Sequence, residues 1–165
     1  MQANHDSRQI NFVAIGKTDT VPKRAPLLFK ILILEDDLEA ASKILNALYR
    51  TEPYLAPYDF DVTLLSTFRS VETLINDHRK YNFDIILLDR DCKLNGSFHI
   101  LDMEHFGLEK IISISSKPEW NQLAQARGVK HVVPKSFSDL DAFANDIGTL
   151  ILNLLQDRSK QPLRN

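Results

Sequence analysis

The chain has 165 residues, of which 44% are hydrophobic and 25% are charged, and its formal net charge is -2. These values are typical of one globular domain with a core of its own, and the small net charge argues against a nucleic acid bound by a general basic surface. No apolar stretch approaches the roughly 20 residues that span a bilayer, so neither a membrane span nor a membrane partner is expected.

The N-terminal stretch differs in composition from the rest of the chain. Residues 1–27 are mostly polar, contain Pro22 and Pro26, and carry only one short apolar run. We interpret them as a flexible arm or, at most, as one added strand. A compact domain is predicted over residues 28–157, followed by a polar tail of residues 158–165.

After the arm, strand-like and helix-like patterns alternate. The apolar run of residues 29–34 predicts a strand that is buried on both faces, and Asp37 is placed to cap the following helix. The alternating run of residues 60–65 predicts a second strand, after which Ser70 is the expected N-cap of a second helix. A third, almost wholly apolar strand ends at Asp89.

The second half of the chain continues the same alternation. A short helix is expected from residue 98 to about 105, and a fourth strand ends at Ser115. Pro118 suits the first turn of a helix that Gly128 closes, and a fifth strand leads to Lys135. The last helix has apolar residues at helical spacing: Leu140, Phe143, Ala144, Ile147, Leu150, Ile151, Leu154 and Leu155. Five β-α units with short connections predict an α/β fold with a parallel sheet between two layers of helices.

Reactive polar groups stand at the ends of four of these strands. In chain order they are Glu35, Asp36, Asp37, Asp89, Ser115 and Lys135. Parallel strands share one edge at their carboxyl ends, and open α/β sheets place their chemistry in the crevice there. The three adjacent acids repel one another unless a cation offsets them, and Mg²⁺ takes one or two carboxylates with water and phosphate. The alternative is that they only decorate a helix N-terminus, which the helix dipole favours.

Asp89 is harder to explain by structure alone, because an unpaired charge at the end of a buried strand is costly. It is a candidate metal ligand or a nucleophile that accepts a phosphoryl group, and the alternative is a turn aspartate. Asp91 can offer its backbone carbonyl to the same metal, with its side chain expected to face water. Ser115 can donate a hydrogen bond to a phosphoryl oxygen, and Lys135 can neutralise one.

Taken in order, these motifs resemble those of the receiver domain of two-component response regulators. The resemblance rests on residues 31–37, 86–89, 111–116 and 128–137, and it covers roughly residues 28–157. It implies a flavodoxin-like, doubly wound fold of the (βα)5 type. Two positions depart from the family's pattern: Val132 stands where many receivers carry an aromatic residue, and Ser136 stands where a proline usually follows the lysine.

The resemblance also implies a role for each candidate residue. Asp89 is the phosphoacceptor, Ser115 carries the switch hydroxyl, and Lys135 binds the phosphate. The Mg²⁺ ligands implied are Glu35, Asp36, Asp89 and the backbone carbonyl of Asp91. The partners implied are a histidine kinase or phosphotransfer protein and a downstream protein that binds near the last two helices. Because only a polar tail follows, the receiver is expected to stand alone and to signal rather than act as an enzyme.

Two other functions stay open. Asp89-Arg90-Asp91 also fits a phosphatase of the haloacid dehalogenase type, but that class needs an acidic pair after the lysine, where the chain offers only acids on or beside a helix: Asp139, Asp141 and Asp146. A degenerate receiver that serves only as a docking module is the third possibility.

Two further candidate groups carry less weight. His99, Asp102 and His105 lack the spacing of a zinc-binding helix, in which two histidines stand four residues apart. Cys92 is the only cysteine and is interpreted as an inert thiol. One cysteine and a polar N-terminus without a signal peptide predict a cytoplasmic protein.

Overall fold

The structure is a computed structural model, and it describes residues 27–76, 81–91, 98 and 101–159. The predicted arm before Leu27, the tail after Ser159, Cys92 and His99 lie outside the described residues. Among these residues, no helix combines the length and the apolar composition that a membrane span requires.

Strands and helices alternate along the described chain. The strands are β1 (Leu27–Leu34), β2 (Tyr58–Leu65), β3 (Ile85–Asp89), β4 (Ile111–Ser115) and β5 (His131–Pro134). The α-helices are α1 (Leu38–Thr51), α2 (Phe68–Ser70), α3 (Met103–Phe106), α4 (Pro118–Ala126) and α5 (Leu140–Ser159). Single 3₁₀ turns at Glu52–Leu55 and Leu108–Lys110 and a π-helical turn at Val71–Asn76 join some of them.

The five strands form one parallel sheet in the order β2-β1-β3-β4-β5. The predicted doubly wound α/β fold is therefore confirmed. The strand order reverses between β1 and β3, and such a switch point leaves a crevice outside the carboxyl ends of the strands. The ends of β1, β3, β4 and β5 all border this edge, so the polar residues that follow them in sequence come close together in space.

Two apolar clusters cover the two faces of the sheet. Ile31 and Ile33 of β1 belong to the cluster that includes α1 and α5, whereas Leu32 and Leu34 belong to the cluster that includes α3 and α4. Successive side chains of a strand point to opposite faces, so a strand covered on both sides has no position for an unpaired polar group. In β3, whose five residues are all buried, the one charged group is Asp89, and it stands at the end of the strand.

The N-cap of α1 was predicted correctly, and the N-cap of α2 was not. Asp37 caps α1 as predicted: its Oδ1 accepts from the backbone N–H groups of Glu39 at 2.9 Å and Ala40 at 3.1 Å. The prediction of Ser70 as the cap of the second helix was wrong, because Thr67 holds that position and its Oγ1 accepts from Ser70 N at 3.3 Å. Starting the helix one turn earlier places Phe68 against the apolar cluster.

The third helix is shorter than the pattern predicted. It begins at Met103 rather than at residue 98, because the Asp102 side chain accepts from His105 N at 3.1 Å and so fixes the first turn. It ends at Gly107, whose φ of 92° is in the left-handed region that favours glycine. The predicted start of α4 at Pro118, its closure by Gly128, the fifth strand and the last helix are confirmed.

One charged side chain is buried against α4, and no polar partner for it lies among the described residues. Arg90 follows Asp89 and is only 3% exposed. Among the described residues, none accepts a hydrogen bond from its Nε or from either terminal nitrogen. Its guanidinium lies 5.8 Å from the ring centroid of Trp120, and burial together with the charge of Arg127 lowers its pKa. A cation–π contact offsets only part of the cost of removing such a charge from water.

Replacing this arginine with an apolar side chain of similar length should therefore stabilise the protein. We expect Arg90→Met to raise the free energy of unfolding by about 1–3 kcal/mol, because the desolvation cost of the charge disappears. Urea denaturation followed by circular dichroism measures this, with the exposed Arg69→Met as the matched control. A loss of stability in Arg90→Met would show that the guanidinium has a favourable partner after all.

Candidate functional site

Three of the predicted residues meet in one buried ion cluster at the carboxyl edge of the sheet. Lys135, which follows β5, places its Nζ 2.8 Å from each carboxylate oxygen of Glu35, the residue after β1. The same Nζ lies 3.0 Å from Oδ2 of Asp89, the last residue of β3. One ammonium group thus joins the ends of three strands.

This ion cluster is removed from water. Glu35 and Asp89 are 0% exposed, and Lys135 is 5% exposed. Burial and the nearby Asp89 charge raise the pKa of Glu35 to about 8, and burial also raises the pKa of Asp89. Burial alone would lower the pKa of Lys135, but the carboxylates of Asp89 and Glu35 outweigh it and raise that pKa. Two carboxylates therefore share a single compensating cation.

Asp36 adds a third carboxylate to the cluster. Glu35, Asp36 and Asp89 each place one oxygen within 4.8 Å of the others. The three carboxyl groups converge on one place, and carboxylate oxygens are the ligands that hard divalent cations prefer. The donor set therefore fits a divalent cation. Lys135 contacts both oxygens of Glu35 but only Oδ2 of Asp89, so Asp89 keeps one oxygen away from the ammonium, whereas Glu35 does not.

Backbone amides fix the orientation of the two buried acids. The N–H of Asp37 donates to Glu35 Oε1, and the N–H of Asp91 donates to Asp89 Oδ1, both at 2.9 Å. In each case the donor stands two residues after the acid, where the chain turns away from its strand. The carboxylates are thus held in place by the local backbone as well as by Lys135.

Asp91 and Ser115 form a second group beside this ion cluster. Ser115 Oγ donates to Asp91 Oδ1 at 2.7 Å, and the N–H of Ser116 donates to Asp91 Oδ2. The expectation that the Asp91 side chain faces water was wrong, because it is half-buried and bonded to the end of β4. The pairing could have been found only from the order of the strands, which makes β3 and β4 neighbours.

Ser115 is also tied to its surroundings by further hydrogen bonds. Its Oγ accepts from the N–H of Lys117 at 3.0 Å, and its carbonyl accepts from the N–H of Lys135 at 2.9 Å. The same carbonyl accepts from the side-chain amide of Asn121 in α4 at 3.3 Å, while Asn121 Oδ1 accepts from Ser113. Sequence reasoning missed this buried asparagine, because one polar residue on a helix of mixed polar and apolar composition gave no signal.

The two positions that depart from the receiver pattern lie in β5 and directly after Lys135. Val132 in β5 is half-buried, and Ser136 follows Lys135 directly. An aromatic ring is nevertheless close to the lysine: the Lys135 Nζ lies 5.2 Å from the ring centroid of Phe137, a residue that is 56% exposed. The ring near the ion cluster is thus contributed by the segment after β5 rather than by the strand itself.

No protein-family model matches the sequence, and no curated protein matches it either. Solved structures of response regulators, however, share its fold. A response regulator receiver domain from Rhodospirillum rubrum has a TM-score of 0.56 at 15% identity, and the alignment covers 74% of this chain and 92% of that chain.

Two further structures give the same result. The Mn²⁺-bound form of response regulator Rcp1 has a TM-score of 0.55 at 15% identity, covering 75% of this chain and 94% of that chain. The phosphorylated cyanobacterial phytochrome response regulator RcpA has a TM-score of 0.59 at 15% identity, covering 83% and 99% of the two chains. The chain therefore has the fold of receiver domains, and the resemblance expected from its motifs is confirmed at the level of the fold.

Removing the ammonium group from the ion cluster should destabilise the protein. We expect Lys135→Met to lower the free energy of unfolding by about 3–5 kcal/mol, because Glu35 and Asp89 would stay buried without their cation. Urea denaturation in the presence of a chelator measures this, with the exposed Lys130→Met as the matched control. Equal stabilities of the two variants would contradict the buried contact.

Proposed function

We propose that this chain is a receiver domain that accepts a phosphoryl group on Asp89 in a Mg²⁺-dependent reaction and signals through protein–protein contacts. The observation that carries the proposal is the buried Asp89 carboxylate, which shares the Lys135 ammonium with Glu35 and has Asp36 beside it. This set of groups can hold a divalent cation and an oxyanion together at the switch point of a parallel sheet.

In the proposed reaction, one carboxylate oxygen of Asp89 forms a bond to the phosphorus of the donor. The phosphorus–nitrogen bond of a phosphohistidine breaks, and its electron pair stays on the imidazole that leaves. Lys135 neutralises an oxygen of the transferred group as a point charge, and Ser115 is placed to donate a hydrogen bond to another. When bound by Asp36 and Asp89, Mg²⁺ would supply the remaining positive charge.

The partners follow from this chemistry. The donor would be a histidine kinase or a phosphotransfer protein, and the response would pass to a downstream protein. Leu123 of α4 is 46% exposed and Phe137 after β5 is 56% exposed, which supports an output surface near α4 and α5. The likeness to a phosphorylated and to a Mn²⁺-bound response regulator of the same fold gives further support.

The phosphatase alternative finds less support in the positions of the later acids. Asp139 Oδ1 accepts from the N–H of Ala142 at 2.9 Å, in the first turn of α5. Asp141 pairs with Lys43 of α1 at 2.8 Å. These contacts use the carboxylates that a second acidic pair would require, away from the strand ends.

Phosphorylation tests the proposal directly. Incubation with Mg²⁺ and a small phosphodonor should add one phosphoryl group, measured by intact-protein mass spectrometry, and Asp89→Asn should abolish the addition because the nucleophilic oxygen is lost. Asp84→Asn is the matched control, since Asp84 stands just before the other end of β3 and accepts from Lys30 N. Undiminished labelling of Asp89→Asn would reject the site, and no labelling of the native protein would favour a docking module without phosphoryl transfer.

The metal site is tested separately by titration calorimetry with Mg²⁺. We expect Asp36→Asn to weaken binding at least about tenfold, since loss of a direct ligand should cost no less than loss of an outer one. Asp37→Asn is the matched control: it removes the same charge from the next residue and still caps α1, so its effect should be small. Equal losses in both variants would indicate a diffuse charge effect instead of a site.

A further inference from the structure

We propose that the Asp91 carboxylate competes with the phosphoryl group, because it accepts the hydrogen bonds of donors that the phosphoryl oxygens need. This inference rests on the proposed function and assigns Asp91 a positioning role within it. The resemblance to receiver domains implied a role only for the backbone carbonyl of Asp91, as a metal ligand. The side chain instead receives two hydrogen bonds from the end of β4, from the Ser115 hydroxyl and from the Ser116 amide.

Those two donors together form an oxyanion site. A hydroxyl and a backbone N–H that converge on one carboxylate can equally receive phosphoryl oxygens, because both ligands are negatively charged and accept hydrogen bonds. The site is adjacent to the phosphoacceptor, since the N–H of Asp91 donates to Asp89 Oδ1 at 2.9 Å. Donors, competitor and acceptor thus belong to one connected hydrogen-bond chain.

The competition follows from the number of available protons. A serine hydroxyl has a single proton to donate, and a backbone amide also has one. Ser115 Oγ accepts from the N–H of Lys117 at 3.0 Å and donates to Asp91 at 2.7 Å. The hydroxyl can therefore serve a phosphoryl oxygen only after it has left Asp91.

Electrostatic repulsion also favours release of the Asp91 carboxylate when Asp89 carries a phosphoryl group. A phosphoryl group on Asp89 would place further negative charge beside the Asp91 carboxylate, and like charges at short range repel each other. Occupation of the site would thus release Asp91 and transfer Ser115 and Ser116 to the new group. Because Ser116 and Lys117 lead directly into α4, the exchange couples phosphorylation to the start of that helix.

The test uses beryllium fluoride with Mg²⁺ as an analogue of the phosphoryl group. Trp120 is the only tryptophan and lies in the first turn of α4, so its fluorescence should follow binding. Asp91→Ala should bind the analogue about tenfold more tightly than the native protein, because a charge-assisted acceptor has been removed from the donors. Asp91→Asn, which keeps a weaker acceptor, should fall between the two.

A double-mutant cycle separates this competition from simple charge repulsion. In a Ser115→Ala background the shared hydroxyl is missing, so most of the gain from Asp91→Asn should disappear. Asp61→Asn, at an exposed acid in β2, removes the same charge far from the site and should leave the affinity unchanged.

Equal affinities of the native protein and both Asp91 variants would overturn the inference, as would a gain from Asp91→Asn that is undiminished in Ser115→Ala. If the folded native protein and all variants fail to bind the analogue, the proposed function fails and the inference fails with it. Binding by the native protein, tightened at Asp91 and dependent on Ser115, would support both.

Discussion

The contact of one buried ammonium group with two buried carboxylates is the constraint on which the carboxyl edge of this sheet depends. Neither Glu35 nor Asp89 can stay charged away from water without Lys135, and Lys135 in turn needs both acids. Because these residues follow three different strands, the ion cluster fixes how the ends of β1, β3 and β5 meet. The convergence of a third carboxyl group, that of Asp36, with those of Glu35 and Asp89 is what makes a divalent cation a suitable additional component.

Three consecutive residues at the end of β3 lie in different environments. Asp89 enters the ion cluster, Arg90 lies beneath α4 against Trp120, and Asp91 reaches the end of β4. A change at Asp89 is therefore adjacent to two links with α4, one through the Arg90 guanidinium against Trp120 and one through Ser115. Under the proposed function, this arrangement would give phosphorylation a physical route from the buried carboxylate to α4.

Local signals predicted much of the fold, because they report properties that a segment has by itself. The apolar run of β1, the cap at Asp37, the proline at the start of α4 and the spacing of α5 all fall in this class. Local signals failed where two neighbouring residues can play the same part: Thr67 and Ser70 are both good caps, and the packing of Phe68 decided between them. Asp102 likewise shortened α3, because it caps the helix later in the chain than the predicted start at residue 98.

The sequence by itself determined that the reactive polar groups follow the apolar runs of four strands, and it gave their order along the chain. Only the tertiary structure decided which of them touch. Lys135 and Glu35 are 100 positions apart, and Asp91 and Ser115 are 24 apart, so each contact depends on strand order, register and side-chain direction. A hydrogen bond forms or fails over a fraction of an ångström, and local patterns carry no information on distances between segments.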